Sequence, residues 1–213
     1  MSYSTLLDRV QLARTVERLG AEITRDHPDG VVLVGVLKGA LVLTADLARA
    51  ITDVPVEIDF IAISRYAPDS GRVRILKDLD LDVAGRDVVV VEDMVDTGLS
   101  LAYLLGQLES RHPRRVDVCT MLDRAVRRIV PLEVRYRGIE LGDVFVLGYG
   151  LHRDDLYRNL PYIVEADREL IGDDPAALVP LLYGAVAVPG TRSGSGSVAF
   201  ESGSVTDGGT QDS

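Results

Sequence analysis

Apolar residues fall along this chain in two rhythms, short unbroken runs and stretches spaced by three or four, and the two alternate. Val31 to Val36, Val56 to Ser64, Val88 to Val91 and Arg115 to Met121 read as strands, and Arg135 to Ile139 and Val144 to Leu147 complete the set. Between them, residues 11 to 26 place Leu12, Val16, Leu19 and Ile23 on one helical face. Ala40 to Ile51 predicts a second helix, and Leu101, Leu104, Leu105 and Leu108 recur at helical spacing in a third. Breakers separate the runs at His27-Pro28-Asp29-Gly30, at Tyr66-Ala67-Pro68-Asp69-Ser70-Gly71 and at His112-Pro113. Arg72 to Leu76 pairs back on the strand before it. Four valines in a row, Val88 to Val91, need burial on both faces and so predict the central strand of a parallel sheet. The expected fold class is α/β, a doubly wound, Rossmann-like parallel sheet with helices on both faces.

Past the valines the chain turns polar. Glu92 and Asp93 close the strand, and Asp96-Thr97-Gly98-Leu99-Ser100 turns into the third helix. Strand, polar turn and helix together aim free backbone N–H groups and a positive dipole end at an anion. Thr97 and Ser100 add hydroxyl donors, and Gly98 lets the main chain approach closely. The turn therefore suits one phosphate group. Two adjacent acids beside a phosphate need another purpose, and the vicinal hydroxyls of a ribose supply it, with Asp96 below the anomeric carbon. The plainer reading is an N-cap aspartate with solvated acids nearby.

Composition narrows the classes. The 213 residues suit one domain with a full core plus an appendage. No apolar run approaches the roughly 18 residues that span a bilayer, so no membrane partner is expected. Met1-Ser2-Tyr3-Ser4-Thr5 lacks a basic-then-apolar signal, and a cytoplasmic location is expected. A net charge of −10 argues against nucleic acid as a partner, because such binding is largely phosphate neutralisation by Lys and Arg. A small polyanionic substrate then needs local donors and a divalent cation. The single Cys119 lies in an apolar strand and reads as inert. His27 suggests no chemistry and reads as exposed or as a satisfied core histidine. The organisation ends near Gly172, so residues 1–170 form the expected domain and 171–213 a C-terminal extension. Leu178 to Val188 is apolar enough to pack, and the Gly/Ser-rich run from about 189 is expected to be disordered.

The run Glu92-Asp93-x-x-Asp96-Thr97-Gly98-x-Ser100 closely resembles the phosphoribosyl diphosphate (PRPP) signature of type I phosphoribosyltransferases. The flanks narrow the resemblance to the hypoxanthine-guanine branch. Val36 to Ala40 looks like its pyrophosphate loop, and Val73 to Asp80 like the segment after its mobile lid. Asp143 to Leu151 looks like its purine pocket and Tyr157 to Ile163 like its closing segment. The resemblance runs in order from about residue 8 to about 165. It implies a doubly wound sheet with a small hood made from the N-terminal and post-150 segments, a Mg²⁺ cofactor, and a homodimer or homotetramer. It implies that Leu37, Lys38 and Gly39 offer amides to pyrophosphate through a non-proline cis peptide at Leu37–Lys38, with Arg158 as a nearby charge partner. Thr97, Gly98, Leu99 and Ser100 would anchor the 5-phosphate, and Glu92 and Asp93 the ribose hydroxyls and the metal side. Asp96 would lie near N7 of the base as the catalytic general base. Arg124, Phe145 and Val146 would bind the base, and Arg65 and Tyr66 would begin the lid.

Several positions depart from the family pattern. The lid opens with Arg65-Tyr66 in place of Ser-Tyr, and its loop is shorter. Arg124 stands where the family has Lys, and its fork can reach both O6 and N7 of a guanine-like edge. Arg124, Arg127 and Arg128 equally fit a solvated basic face, and Phe145 equally fits a core. His152 stands where the family carries an Asp that helps hold magnesium, a hard cation that prefers oxygen. Asp154 or Asp155 can take that place, or pyrophosphate and water alone can hold the metal. Reduced turnover or a changed substrate is a further option, and His152 can face pyrophosphate as a cation at low pH.

The function this implies is transfer of a 5-phosphoribosyl group from PRPP to N9 of a 6-oxopurine, hypoxanthine or guanine. The alternatives are a phosphoribosyltransferase for a different base, or a non-catalytic PRPP- or nucleotide-binding regulator.

Overall fold

The computed structural model describes residues 3–64, 73–166 and 174–184. Strands β1 (Tyr3–Leu7), β2 (Val31–Leu37), β3 (Val56–Ser64) and β4 (Arg74–Lys77) are interleaved with helices α1 (Arg9–Asp26) and α2 (Leu41–Ala50). Strand β5 (Asp87–Val95), helix α3 (Leu99–Glu109), β6 (Arg115–Asp123), a short 3₁₀ turn (Ala125–Arg127) and β7 (Tyr136–Glu140) come next. The chain then forms β8 (Phe145–Leu147), β9 (Ile163–Ala166) and α4 (Val179–Gly184). Among the described residues no helix is long and apolar enough to cross a membrane.

The six-stranded sheet runs β4-β3-β2-β5-β6-β7, parallel throughout except for the β3–β4 hairpin. Val88 to Val91 are fully buried because β5 lies in mid-sheet with helices on both sides. Val89 and Val91 join Leu33, Leu19, Ile23, Leu43 and Leu47 under α1 and α2, while Val88 and Val90 join Leu101, Leu104 and Leu108 under α3. One run of valines thus serves two cores, as strand alternation requires.

Helix α1 starts at Arg9, two residues earlier than its apolar face suggests, because Asp8 and Gln11 close a capping box. Asp8 Oδ1 accepts from the Gln11 N–H at 2.8 Å, and Gln11 Oε1 accepts from the Asp8 N–H at 2.9 Å. His27 proves to be a satisfied core histidine. It is fully buried, with Nδ1 2.9 Å from Asp87 Oδ2 and Nε2 3.0 Å from the Tyr136 hydroxyl.

Two elements differ from the sequence reading. Strand β5 does not end at Glu92 and Asp93 but continues to Val95, because β6 still pairs with it there, Met94 with Leu122 and Val95 with Asp123. Phe145–Leu147 does not join the main sheet. It pairs antiparallel with β9, which pairs with β1, in a three-stranded hood of order β1-β9-β8. The hood has its own core of Leu147, Tyr157, Leu160 and Val164, onto which Leu178 and Leu182 pack. The Tyr162 hydroxyl donates to the Leu182 carbonyl at 2.7 Å, and the Tyr157 hydroxyl to the Pro175 carbonyl at 2.6 Å. Residues 174–184 are therefore part of the hood. The lid residues Arg65 and Tyr66 and the Gly/Ser-rich run from 189 lie outside the described residues.

Candidate active site

The carboxyl ends of β2, β5 and β6 meet under the hood, at the edge where open α/β sheets hold ligands. The first element is the turn between β5 and α3. Gly98, at φ +84°, is the N-cap of α3 and supplies no side-chain cap to the first helical amides. Thr97 Oγ1 reaches the Leu99 nitrogen only at 3.5 Å. From behind, the turn is braced by the chain after the 3₁₀ turn, since the Thr97 carbonyl accepts from the Ile129 N–H at 2.9 Å and the Val130 N–H at 3.2 Å. The result is a braced cradle on Thr97, Gly98, Leu99 and Ser100 whose geometry suits an anion.

The second element is the loop after β2. The Leu37–Lys38 peptide is cis, as the resemblance implies. Gly39 has no room for a side chain, because a Cβ there would stand 1.9 Å from Asp93 Oδ2. Asp93 is only 6% exposed and lies against this loop, with Oδ1 accepting the Met94 N–H at 2.8 Å. Glu92, the neighbouring strand residue, is half-buried. The same loop touches the hood turn, where a Cβ on Gly150 would stand 2.1 Å from the Gly39 carbonyl oxygen.

The third element is charge. Arg124, 4% exposed, donates through Nη1 to Asp96 Oδ2 at 3.3 Å and through Nη2 to the Val144 carbonyl. Its fork therefore bridges the sheet and the hood. Arg124 Nε and Asp96 Oδ1 are buried without partners. Arg127 pairs with Asp143 and stands 4.0 Å from Asp96, and Arg128 pairs with Asp123. The three arginines are thus ion-paired and do not form a solvated basic face. Phe145, next to Val144, is partly buried against the hood core, and Val146 is buried at the junction of hood and main core.

Across the site, Arg158 donates to the Gly150 carbonyl at 2.6 Å and to Asp155 Oδ1 at 2.9 Å, and Lys38 Nζ lies 3.1 Å from Asp155 Oδ2. These two cations hold the Asp155 carboxyl below its ordinary range. Asp154 turns instead to Arg153, at 3.3 Å. His152 Nδ1 accepts the Asp155 N–H at 3.1 Å. His152, Asp154 and Asp155 therefore do not converge on a common metal position, and among the described residues no group of three or more His, Cys, Asp or Glu could hold an ion.

Sequence reasoning missed two partners. Asp123, 2% exposed at the end of β6, receives Arg128 and also Arg137 at 2.9 Å, and its place beside Arg124 was the available signal. The Tyr149 hydroxyl donates to Asp46 Oδ2 at 2.7 Å, and no local pattern announces that bond. A cavity of about 620 Å³ between α1, α2 and residues 158–161 shares Tyr149 and Arg158 with this region but holds none of the cradle.

Known proteins agree with this geometry. The phosphoribosyl transferase domain family matches residues 2–154. A hypoxanthine-guanine phosphoribosyltransferase of Mycobacterium avium is 44% identical over 174 residues, covering 77% of this chain and 85% of that protein. The Bacillus subtilis protein of the same name is 41% identical over 162 residues, covering 74% of this chain and 89% of that protein. A crystal structure of a hypoxanthine-guanine phosphoribosyltransferase from Bacillus anthracis superposes with TM-score 0.73 at 39% identity, covering 77% of this chain and 98% of that one. A hypoxanthine phosphoribosyltransferase structure from Staphylococcus aureus gives TM-score 0.74 at 36% identity, covering 78% of this chain and 92% of that one. With the cradle, the cis peptide, the hood and these relatives in agreement, the chain belongs to the hypoxanthine-guanine phosphoribosyltransferase family of type I phosphoribosyltransferases.

Proposed function

We propose that this protein transfers the 5-phosphoribosyl group of PRPP to N9 of hypoxanthine or guanine, giving the nucleoside monophosphate and pyrophosphate, in purine salvage. The observation that carries the reading is the Asp96–Arg124 pair, seated between an uncapped helix N-terminus and the hood. It sets an acid–base group directly beside a phosphate anchor.

Each part has a physical task. Amides of Thr97 to Ser100 anchor the 5-phosphate, which places the anomeric carbon. Glu92 and Asp93 accept from the ribose hydroxyls. Asp96 takes the proton from the base or steadies its developing positive charge. Arg124 fixes Asp96 and presents its remaining N–H groups to the purine edge, while Phe145 stacks on the ring and the Val146 backbone reads its rim. Lys38 and Arg158 neutralise departing pyrophosphate, and the backbone amides of Leu37 to Gly39 donate to it. Magnesium suits this donor set only as an ion carried largely by pyrophosphate and water, with Glu92 and Asp93 as the protein oxygens nearby. When bound, it screens the charge of the leaving group. The enzyme works as a homodimer or homotetramer, the assembly its resemblance implies.

Arg124 favours one second reading, a different preferred base, because guanidinium is bulkier than ammonium and is tied to Val144. A panel of free bases with PRPP and Mg²⁺, scored by nucleotide formation, tests both. Turnover of hypoxanthine and guanine is expected, and preference for xanthine or a pyrimidine would install the second reading. PRPP binding without turnover on any base would overturn both in favour of a regulator.

A further inference from the structure

A two-residue hairpin projects from the hood toward the pyrophosphate loop. The Leu156 N–H donates to the Arg153 carbonyl at 3.0 Å and the Arg153 N–H to the Leu156 carbonyl at 3.4 Å. Between them, Asp154 and Asp155 both take left-handed backbone angles, φ +48° and +64°. These are the φ signs of a type I′ turn, which Asn-Gly or Asp-Gly adopts with least strain. Here both places hold carboxylates instead, and His152 Nδ1 braces the turn by accepting the Asp155 N–H. The strained turn delivers one product, the Asp155 carboxylate set between Lys38 Nζ at 3.1 Å and Arg158 Nη2 at 2.9 Å.

On the reading in which Lys38 and Arg158 hold pyrophosphate, we propose that Asp155 is a resident counter-ion of the pyrophosphate subsite, displaced by the substrate. It raises the threshold for anion binding there and so favours diphosphates over monophosphates. The side chains of Lys38 and Asp155 are 68% and 61% exposed, and ion pairs in water are weak, so exchange is easy. A diphosphate that reaches both cations replaces both contacts of the carboxylate. An orthophosphate replaces them with less charge and shorter reach. The carboxylate also keeps Lys38 and Arg158 gathered while the subsite awaits its ligand.

Asp155→Asn tests this directly, because Asn tolerates the left-handed backbone and loses only the charge. Titration calorimetry with inorganic pyrophosphate, in a chelator and without divalent cation, is run on the wild type, on Asp155→Asn and on Asp53→Asn as a remote charge control. The expected result is binding about three- to tenfold tighter for Asp155→Asn and unchanged for Asp53→Asn, with a larger gain for orthophosphate, so that the preference for the diphosphate narrows. In steady state, KM for PRPP falls and KM for the base does not. Equal or weaker pyrophosphate binding by Asp155→Asn, with or without Mg²⁺, overturns the counter-ion. If the wild type still makes nucleotide in that case, the enzymatic reading stands without it. If neither protein binds pyrophosphate or turns over PRPP, both fall.

Discussion

Arg124 Nη1 lies 3.3 Å from Asp96 Oδ2, and this contact ties the ends of two neighbouring parallel strands, β5 and β6, to each other. The Arg124 backbone N–H also donates to the Val95 carbonyl, at 2.9 Å, so backbone and side chain hold the same junction. Yet Arg124 Nε and Asp96 Oδ1 keep unused hydrogen-bonding capacity in a buried place. A pair left incomplete in this way adds little to stability, since the desolvation cost of a buried charge offsets most of its attraction.

Arg124→Met removes one partner only and leaves the Asp96 carboxylate and the Val144 carbonyl without their donor, so it should lower unfolding stability by about 1 to 3 kcal/mol, while kcat/KM for the base falls by about 100-fold or more. Urea unfolding beside steady-state kinetics checks this. A stability loss above about 3 kcal/mol would make Arg124 a structural residue first.

Asp96→Asn keeps the shape of the turn and removes the acceptor for a proton. It should lower kcat by roughly 100-fold or more with PRPP affinity little changed. Equal losses in kcat and in PRPP binding would argue that Asp96 shapes the cradle and does not act on the base.

The far edge of the sheet predicts an acid-sensitive stability. Asp87 is 8% exposed, accepts from Arg114 Nε at 2.7 Å and Nη2 at 2.8 Å, and lies beside His27. Arg114 outweighs the opposing effect of burial and, with His27, holds the carboxyl at about 2, below its ordinary 3.8. A lowered folded pKa means that the unfolded chain binds the proton more readily, so the contribution is complete above about pH 4 and is lost as pH falls toward 2. Its size is about 2 kcal/mol. Unfolding free energies of wild type and Asp87→Asn should differ most near neutral pH, and the gap should shrink by about that amount near pH 2. A gap independent of pH would remove the carboxylate from the account.

The contact between Gly39 and Gly150 sets a steric limit. A Cβ at Gly150 would meet the Gly39 carbonyl oxygen at 2.1 Å, on a backbone already at φ +98°. Gly150→Ala should cost about 3 kcal/mol or more from overpacking and backbone strain together, and should raise KM for PRPP. Thermal unfolding and PRPP titration read the two effects, and a normal KM in a folded variant would detach this contact from the pyrophosphate loop.

The legible part of this molecule is the part whose signals are local. Val88 to Val91 announced a strand with two buried faces, and Leu101, Leu104 and Leu108 a helix covering one of them, because burial repeats with the period of the element. The Asp96 to Ser100 turn was legible because its residues are contiguous. Period could not say which sheet Val144 to Leu147 would join, since alternation specifies a strand and not its neighbour. The partners of His27 come from β5, β6 and β7, and Asp155 meets Lys38 from 117 residues away, so neither meeting leaves a local trace. The bond from the Arg124 fork to the Val144 carbonyl was equally hidden, because that carbonyl belongs to another part of the fold.

Phe145 and Val146 ride on β8, bonded to β9 and through it to β1, whereas Asp96 to Ser100 hang from β5 of the other sheet. On the proposed assignments, the stacking and rim contacts to the nucleobase sit on one scaffold and the 5-phosphate anchor on the other, and the two can drift apart under selection. Substitutions in Tyr3–Leu7 or in residues 174–184 would then reshape which heterocycle is accepted and spare the 5-phosphate anchor. Descendants of one ancestor could diversify their diet of bases in this way while the part that handles the activated sugar stayed frozen.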